Sequence, residues 1–100
     1  MRELNTNEFD TAISKGKVLV DFWAPWCGPC RLLHPQLELL QKEMGESLQI
    51  VKVNVDEEGD LANRFRVMSI PTLTLFEDGE VKKSVTGARS AQQLREVFDL

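Results

Sequence analysis

The sequence lacks any apolar run long enough for a secretory signal or a membrane-spanning helix. It also lacks a basic cluster, because the net charge is −4 and the 12 Lys and Arg residues are scattered along the chain. We therefore expect no nucleic-acid partner and no membrane partner. We expect the cytoplasm as the location, with an organelle as the alternative, because removal of a targeting segment leaves no trace in the mature chain.

Cysteine and histidine are scarce, with two Cys and one His. One hundred residues with 42% hydrophobic composition suit a single domain over residues 1–100, which folds without disulfide staples or a structural metal. Cys27, Cys30 and His34 have the spacing of zinc ligands, but a structural zinc needs a fourth ligand and no other Cys or His exists. We expect no metal and no other cofactor. Zinc binding and purely structural cysteines stay as minor alternatives.

Hydrophobic periodicity predicts helices alternating with strands in the order αβαβαββα. The central strands are too apolar to be covered on one side only, so we expect an α/β fold with helices on both faces of a central mixed sheet. The sheet should be mostly parallel, with a terminal hairpin adding an antiparallel pair at one edge. The strands are predicted at residues 18–23, 48–55, 72–76 and 81–85, and the longest helix ends near Met44.

The segment Trp26-Cys27-Gly28-Pro29-Cys30 lies where the first predicted strand ends and the longest helix begins. Open α/β sheets present their ligands at such junctions. Two cysteines three apart in a first helical turn lie on one face, with sulfurs close enough to form and break a disulfide. Cys27 is nearer the positive end of the helix dipole and is the expected nucleophile, and Cys30 is the expected resolving thiol. Gly28 leaves space for a substrate, and Pro29 is tolerated in the first turn.

Asp21, His34 and Pro71 lie outside the cysteine motif but have types or neighbours that suggest a role. Asp21 is a carboxylate in an otherwise apolar strand, where burial should raise its pKa, although a partly exposed strand residue is the alternative. His34, one helical turn beyond Cys30 on the same face, is expected to be a surface residue, with a titration near neutral pH as the functional alternative. The peptide bond before Pro71 is expected to be trans from the residues alone.

The sequence resembles the thioredoxin family over essentially the whole chain. The resemblance implies the thioredoxin fold and a protein-disulfide reductase that works by dithiol–disulfide exchange. It is carried by Asp21-Phe22-Trp23-Ala24 leading into Trp26-Cys27-Gly28-Pro29-Cys30, by Ile70-Pro71-Thr72, by Phe76 with Asp78-Gly79, and by Val85-Thr86-Gly87-Ala88.

The resemblance also assigns residue roles. It implies that Asp21 is a buried acid, with Lys52 as its neighbour, and that the two move protons to and from Cys30. It implies a cis bond before Pro71 that brings the Ile70 backbone beside the thiols. The substrate-binding surface that it implies consists of Trp26, Ile70, Pro71 and Gly87.

The implied partners are disulfide-containing proteins and a thioredoxin reductase, and we expect a monomer. The pair Pro25-Trp26 resembles the corresponding segment of bacterial and plastid thioredoxins, so a chloroplast is the specific alternative location. Two other functions remain open: a disulfide-forming oxidant on the same fold, and a binding module that uses the apolar surface around Trp26. Two electron donors stay open, an NADPH–flavin reductase and a ferredoxin system.

Overall fold

The computed structural model describes all 100 residues, which form one five-stranded sheet and four α-helices. The predicted order of elements is confirmed except at the start, where a two-residue strand precedes the first helix. A strand this short has no hydrophobic period that a sequence could display. The elements are β1 (Arg2–Glu3), α1 (Thr6–Ala12), β2 (Lys17–Trp23), α2 (Gly28–Met44), a 3₁₀ turn (Gly45–Ser47), β3 (Gln49–Asn54), α3 (Gly59–Arg64), β4 (Thr72–Glu77), β5 (Glu80–Thr86) and α4 (Ala91–Val97).

The strand order is β1-β3-β2-β4-β5. Strands β1 and β2 run parallel to β3, whereas β4 is antiparallel to both β2 and β5. The mixed sheet is confirmed, but the expectation of a mostly parallel sheet was wrong. Helix α3 is short, about 9 Å long, and does not carry the chain back along the full length of β3, about 20 Å. Strand β4 therefore starts at the end of the sheet where β2 finishes, and Thr72 pairs there with Phe22.

Helices cover both faces of the sheet. Residues from α2 and α4 form one buried cluster with the sheet, and residues from α1 and α3 form a second cluster on the opposite face. Alternation along β2 places Leu19 in the first cluster and Val20 in the second. Asp21 therefore points to the same face as Leu19, beneath α2, and so does Lys52, two residues after Ile50 of the first cluster.

Side-chain caps and a tight turn define the ends of several elements. Asn5 accepts a hydrogen bond from the Glu8 backbone N–H at the start of α1, and Ser90 and Gln93 form a capping box at the start of α4. Asp78 and Gly79 both have positive φ in the β4–β5 turn, as a tight hairpin requires. No helix is both long enough and apolar enough to cross a membrane.

Candidate active site

The two cysteines form a disulfide at the start of α2, with their Cα atoms 5.3 Å apart. Cys27 is the N-cap residue of the helix, and its Sγ accepts a hydrogen bond from the Cys30 backbone N–H at 3.2 Å. Cys27 is 5% exposed and Cys30 is fully buried. Gly28 and Pro29 occupy the first turn, where the missing proline N–H has no helical partner to lose.

The loop before β4 reaches the disulfide. The Ile70–Pro71 peptide bond is cis, as the family resemblance implied, and the Ile70 carbonyl oxygen lies 3.9 Å from Cys27 Sγ. The Gly87 backbone N–H donates to the Pro71 carbonyl oxygen at 2.9 Å. Gly87 has φ 92°, a conformation that favours glycine over other residues. The structure thus places the Ile70 carbonyl beside Cys27 and joins Pro71 to Gly87.

An apolar groove of about 480 Å³ opens next to the cysteines. Of the four residues expected on the substrate-binding surface, Trp26 and Ile70 line the groove, whereas Pro71 is buried and Gly87 lies outside the lining. The Trp26 indole N–H donates to the Asp56 carboxylate at 2.8 Å, which fixes an aromatic ring that is 68% exposed. The remaining lining residues, which sequence analysis missed, are Val55, Ala62, Val67, Met68 and Ser69.

Asp21 is fully buried beneath α2. Its Oδ2 atom lies 3.0 Å from His34 Nε2, and its Oδ1 atom has no hydrogen-bond partner. Burial raises the pKa of the Asp21 carboxyl to about 7, and the positive charge of Lys52 acts in the opposite direction. The expectation of a buried acid with a raised pKa is confirmed at this position.

Lys52 is the register partner of Asp21 on β3 and is half-buried. Its ammonium group lies 4.6 Å from the centroid of the Trp23 ring, and it forms no ion pair with Asp21 within 4.0 Å. Lys52 therefore acts on Asp21 through space, without direct contact. The Trp23 indole N–H donates to Glu3 at 3.1 Å. Trp23 also packs against the buried cluster that contains Cys27 and Cys30.

His34 is mostly buried, so the expectation of a surface residue was wrong. Its side chain is only 18% exposed, with Asp21 on one side and the Trp23 ring 5.0 Å away between centroids. Burial, followed by the charge of Lys52, lowers the pKa of the His34 imidazole. The sequence did carry a signal, because His34 lies one helical turn beyond Cys30 and so on its face of α2.

The possible zinc ligands do not converge on one point. Cys27 and Cys30 are bonded to each other, and the His34 Nε2 atom is directed to Asp21. No group of three or more His, Cys, Asp or Glu side chains is arranged to hold a metal ion. The geometry is instead that of a disulfide at a helix start, placed beside an apolar groove and above a buried acid. Such a site defines a thiol–disulfide oxidoreductase.

Comparisons with known proteins agree with this class. The family model described as Thioredoxin matches residues 1–99. The thioredoxin of Listeria monocytogenes is 48% identical over 99% of this chain and 96% of its own length, and that of Bacillus subtilis is 49% identical over 91% and 88%. "Thioredoxin M4, chloroplastic" of Arabidopsis thaliana is 40% identical over 96% of this chain and 51% of its own length.

Fold comparison gives the same result. A solved structure from a study of thiol resolution in yeast mitochondrial 1-Cys peroxiredoxin via glutathione/thioredoxin systems superposes with a TM-score of 0.89. It is 32% identical, and the match covers 100% of this chain and 95% of that chain. The chain therefore belongs to the thioredoxin family. With the Cys27–Cys30 disulfide in place, it is a protein-disulfide reductase that works by dithiol–disulfide exchange.

Proposed function

We propose that Cys27 is the nucleophile and Cys30 the resolving thiol of this reductase. The observation that carries the assignment is the hydrogen bond from the Cys30 backbone N–H to Cys27 Sγ at the N-terminus of α2. In the reduced protein, that donor and the helix dipole favour the Cys27 thiolate over the thiol. Cys30 is fully buried, so a substrate disulfide meets Cys27 first.

The reaction then has two exchange steps. The Cys27 thiolate attacks one sulfur of a substrate disulfide, which forms a mixed disulfide and releases the first substrate thiolate. The Cys30 thiolate next attacks Cys27 Sγ, which forms the Cys27–Cys30 bond and releases the second substrate thiolate. The substrate gains two electrons and the protein loses two.

We propose that Asp21 accepts the proton that Cys30 loses in the second step. Its pKa of about 7 suits a group that takes up and releases protons near neutral pH. The unpartnered Oδ1 atom leaves one carboxyl oxygen free for this task. Lys52 supports the role because its charge favours the ionised form that can accept a proton.

The substrate is proposed to be an extended segment of a protein that carries a disulfide. The Ile70 backbone beside Cys27 offers main-chain pairing, as in the addition of a strand to a sheet edge. Trp26 and Met68 supply apolar contact, and both side chains are exposed in the groove. Pro71 and Gly87 hold this loop in position through their backbone hydrogen bond.

A thioredoxin reductase is proposed as the partner that reduces the Cys27–Cys30 disulfide again. We also propose that the protein acts as a monomer, because a single chain supplies every side chain of the site. Similarity to bacterial thioredoxins supports a cytoplasmic location, and the chloroplast-named relative supports the plastid alternative.

Replacement of each cysteine tests the assignment of roles. Cys30→Ser should accumulate a mixed disulfide between Cys27 and the substrate protein, because no resolving thiol remains. Cys27→Ser is the matched control and should form no stable adduct while still binding substrate through the groove. Intact-mass analysis after mixing with a disulfide-bonded protein measures both outcomes. An adduct on Cys30 in the Cys27→Ser protein, with none on Cys27 in the other variant, would reverse the roles.

A further inference from the structure

The buried carboxyl of Asp21 has one polar contact, and that contact leads towards solvent. Asp21 is fully buried, and its Oδ2 atom lies 3.0 Å from His34 Nε2. The His34 side chain is 18% exposed, so the imidazole touches the buried acid while part of the ring reaches water. His34 also lies on the same face of α2 as Cys30, one turn further along the helix.

Charged groups on three elements and at the N-terminus surround this pair. Lys52 on β3 and the amino terminus disfavour protonation of His34, whereas Glu38 on α2 and Glu3 on β1 favour it. Burial lowers the pKa of His34 and raises that of Asp21 to about 7. Both shifts favour the neutral pair COOH–imidazole over the ionic pair COO⁻–imidazolium. Two groups in such contact titrate as a unit that exchanges one proton.

We propose that His34 is a positioning residue for the disulfide exchange, one that orients the Asp21 carboxyl and relays its proton to and from solvent. The proposal rests on the role proposed above for Asp21. His34 does not touch the reacting sulfurs, so it acts only through Asp21.

The relay balances over one catalytic cycle. During resolution the Cys30 thiol gives its proton to the Asp21 carboxylate, and the Cys30 sulfur bonds to Cys27 Sγ. The Asp21 carboxyl then passes a proton across the Oδ2–Nε2 contact, and the resulting imidazolium releases its other N–H proton to water. When a reductase opens the disulfide again, water supplies the proton and the same transfers run backwards, which restores the original tautomer of His34.

A purely structural role for His34 makes different predictions. If the imidazole only fills space against Trp23 and occupies Asp21 Oδ2, a side chain that does both without titrating is an adequate replacement. Glutamine keeps a hydrogen-bond donor for the carboxylate but cannot carry a proton. His34→Ala removes the ring and opens a space that free imidazole can enter from solvent.

The experiment follows single-turnover reduction of a disulfide-bonded peptide by the reduced protein between about pH 5.5 and pH 9. Formation of the mixed disulfide reports on Cys27, and its decay reports on the resolving step. His34→Gln and His34→Ala should leave formation unchanged and slow decay on the order of tenfold, less than the usual loss of a general acid–base group because Asp21 remains. Added imidazole should restore decay in His34→Ala. Lys42→Gln, an exposed change on the same helix, should behave as the parent.

Asp21→Asn separates this inference from the role proposed for the acid. If Asp21→Asn slows decay and His34→Gln does not, the relay is wrong and the role of Asp21 stands. If Asp21→Asn has no effect, the role of Asp21 fails and the relay fails with it. In the Asp21→Asn background, His34→Gln should not slow decay of the mixed disulfide any further. An additional slowing as large as in the parent background would show that His34 does not act through Asp21. Slowing in His34→Ala with none in His34→Gln would establish a structural role and overturn the proposal. Slowing in His34→Ala that added imidazole does not rescue would overturn it as well.

Discussion

Replacing Asp21 with asparagine removes a carboxyl group that the fold holds fully buried. Its pKa is raised from 3.8 to about 7, chiefly by burial and against the charge of Lys52. A carboxyl with a raised pKa is tolerated in the folded state while it is protonated. Its ionisation therefore lowers the free energy of unfolding as pH rises from the unfolded value towards the folded one.

The structure sets the size of this effect. At about 1.4 kcal/mol for each pH unit between the two pKa values, complete ionisation of Asp21 lowers the free energy of unfolding of the parent protein by about 4 kcal/mol. Asparagine cannot ionise, so the stability of Asp21→Asn relative to the parent should increase from about pH 4 to about pH 7 and level off above.

Urea unfolding of the oxidised proteins at intervals from about pH 4 to pH 9 measures the difference in free energy. Asp60→Asn is the matched control, since it makes the same chemical change at an exposed carboxylate on α3. The control should show no comparable rise. A difference for Asp21→Asn that stays flat, or that shrinks as pH increases, would refute the argument that burial governs the charge of Asp21.

Three further predictions address the thiols, the groove and the core. In the reduced protein at neutral pH, iodoacetamide should alkylate Cys27 much faster than Cys30, because Cys27 is the N-cap of α2 and is 5% exposed whereas Cys30 is fully buried. Equal rates by peptide mapping would contradict the assigned roles. Met68→Asp should lower kcat/KM for a protein substrate by about tenfold and leave kcat/KM for a small disulfide unchanged, since Met68 offers apolar contact only to a larger substrate. Equal losses for both substrates would contradict substrate binding in the groove. Leu37→Ala should lower the free energy of unfolding in urea by about 2–5 kcal/mol because Leu37 is fully buried. Leu39 is half-exposed, so Leu39→Ala should lower it much less. Similar losses would contradict the burial of the Leu37 face of α2.

Local geometry explains why the chemistry at the cysteines could be predicted from the sequence. Cys27 and Cys30 lie within one helical turn, so their proximity follows from the helix alone. The buried acid was predictable for a similar reason, because Asp21 is the one carboxylate inside a strand that is apolar on both faces. The cis bond before Pro71 followed only from the family resemblance, since trans is the default for the residues themselves.

Contacts between distant elements could not be predicted in this way. The His34–Asp21 contact depends on how α2 lies across β2, and the Trp26–Asp56 hydrogen bond joins residues 30 positions apart. Neither hydrophobic period nor local spacing fixes such packing. The antiparallel placement of β4 likewise depends on the reach of α3 relative to β3, which no single segment displays.

The central claim is that this chain reduces protein disulfides by transferring the electrons of Cys27 and Cys30. The direct test mixes the pre-reduced protein with a disulfide-bonded protein and, after acid quenching, measures by mass spectrometry both the new substrate thiols and the Cys27–Cys30 disulfide. Two substrate thiols should appear for every Cys27–Cys30 disulfide formed, with none in the Cys27→Ser protein. Substrate thiols that appear without the Cys27–Cys30 disulfide, or that persist in Cys27→Ser, would contradict the central claim.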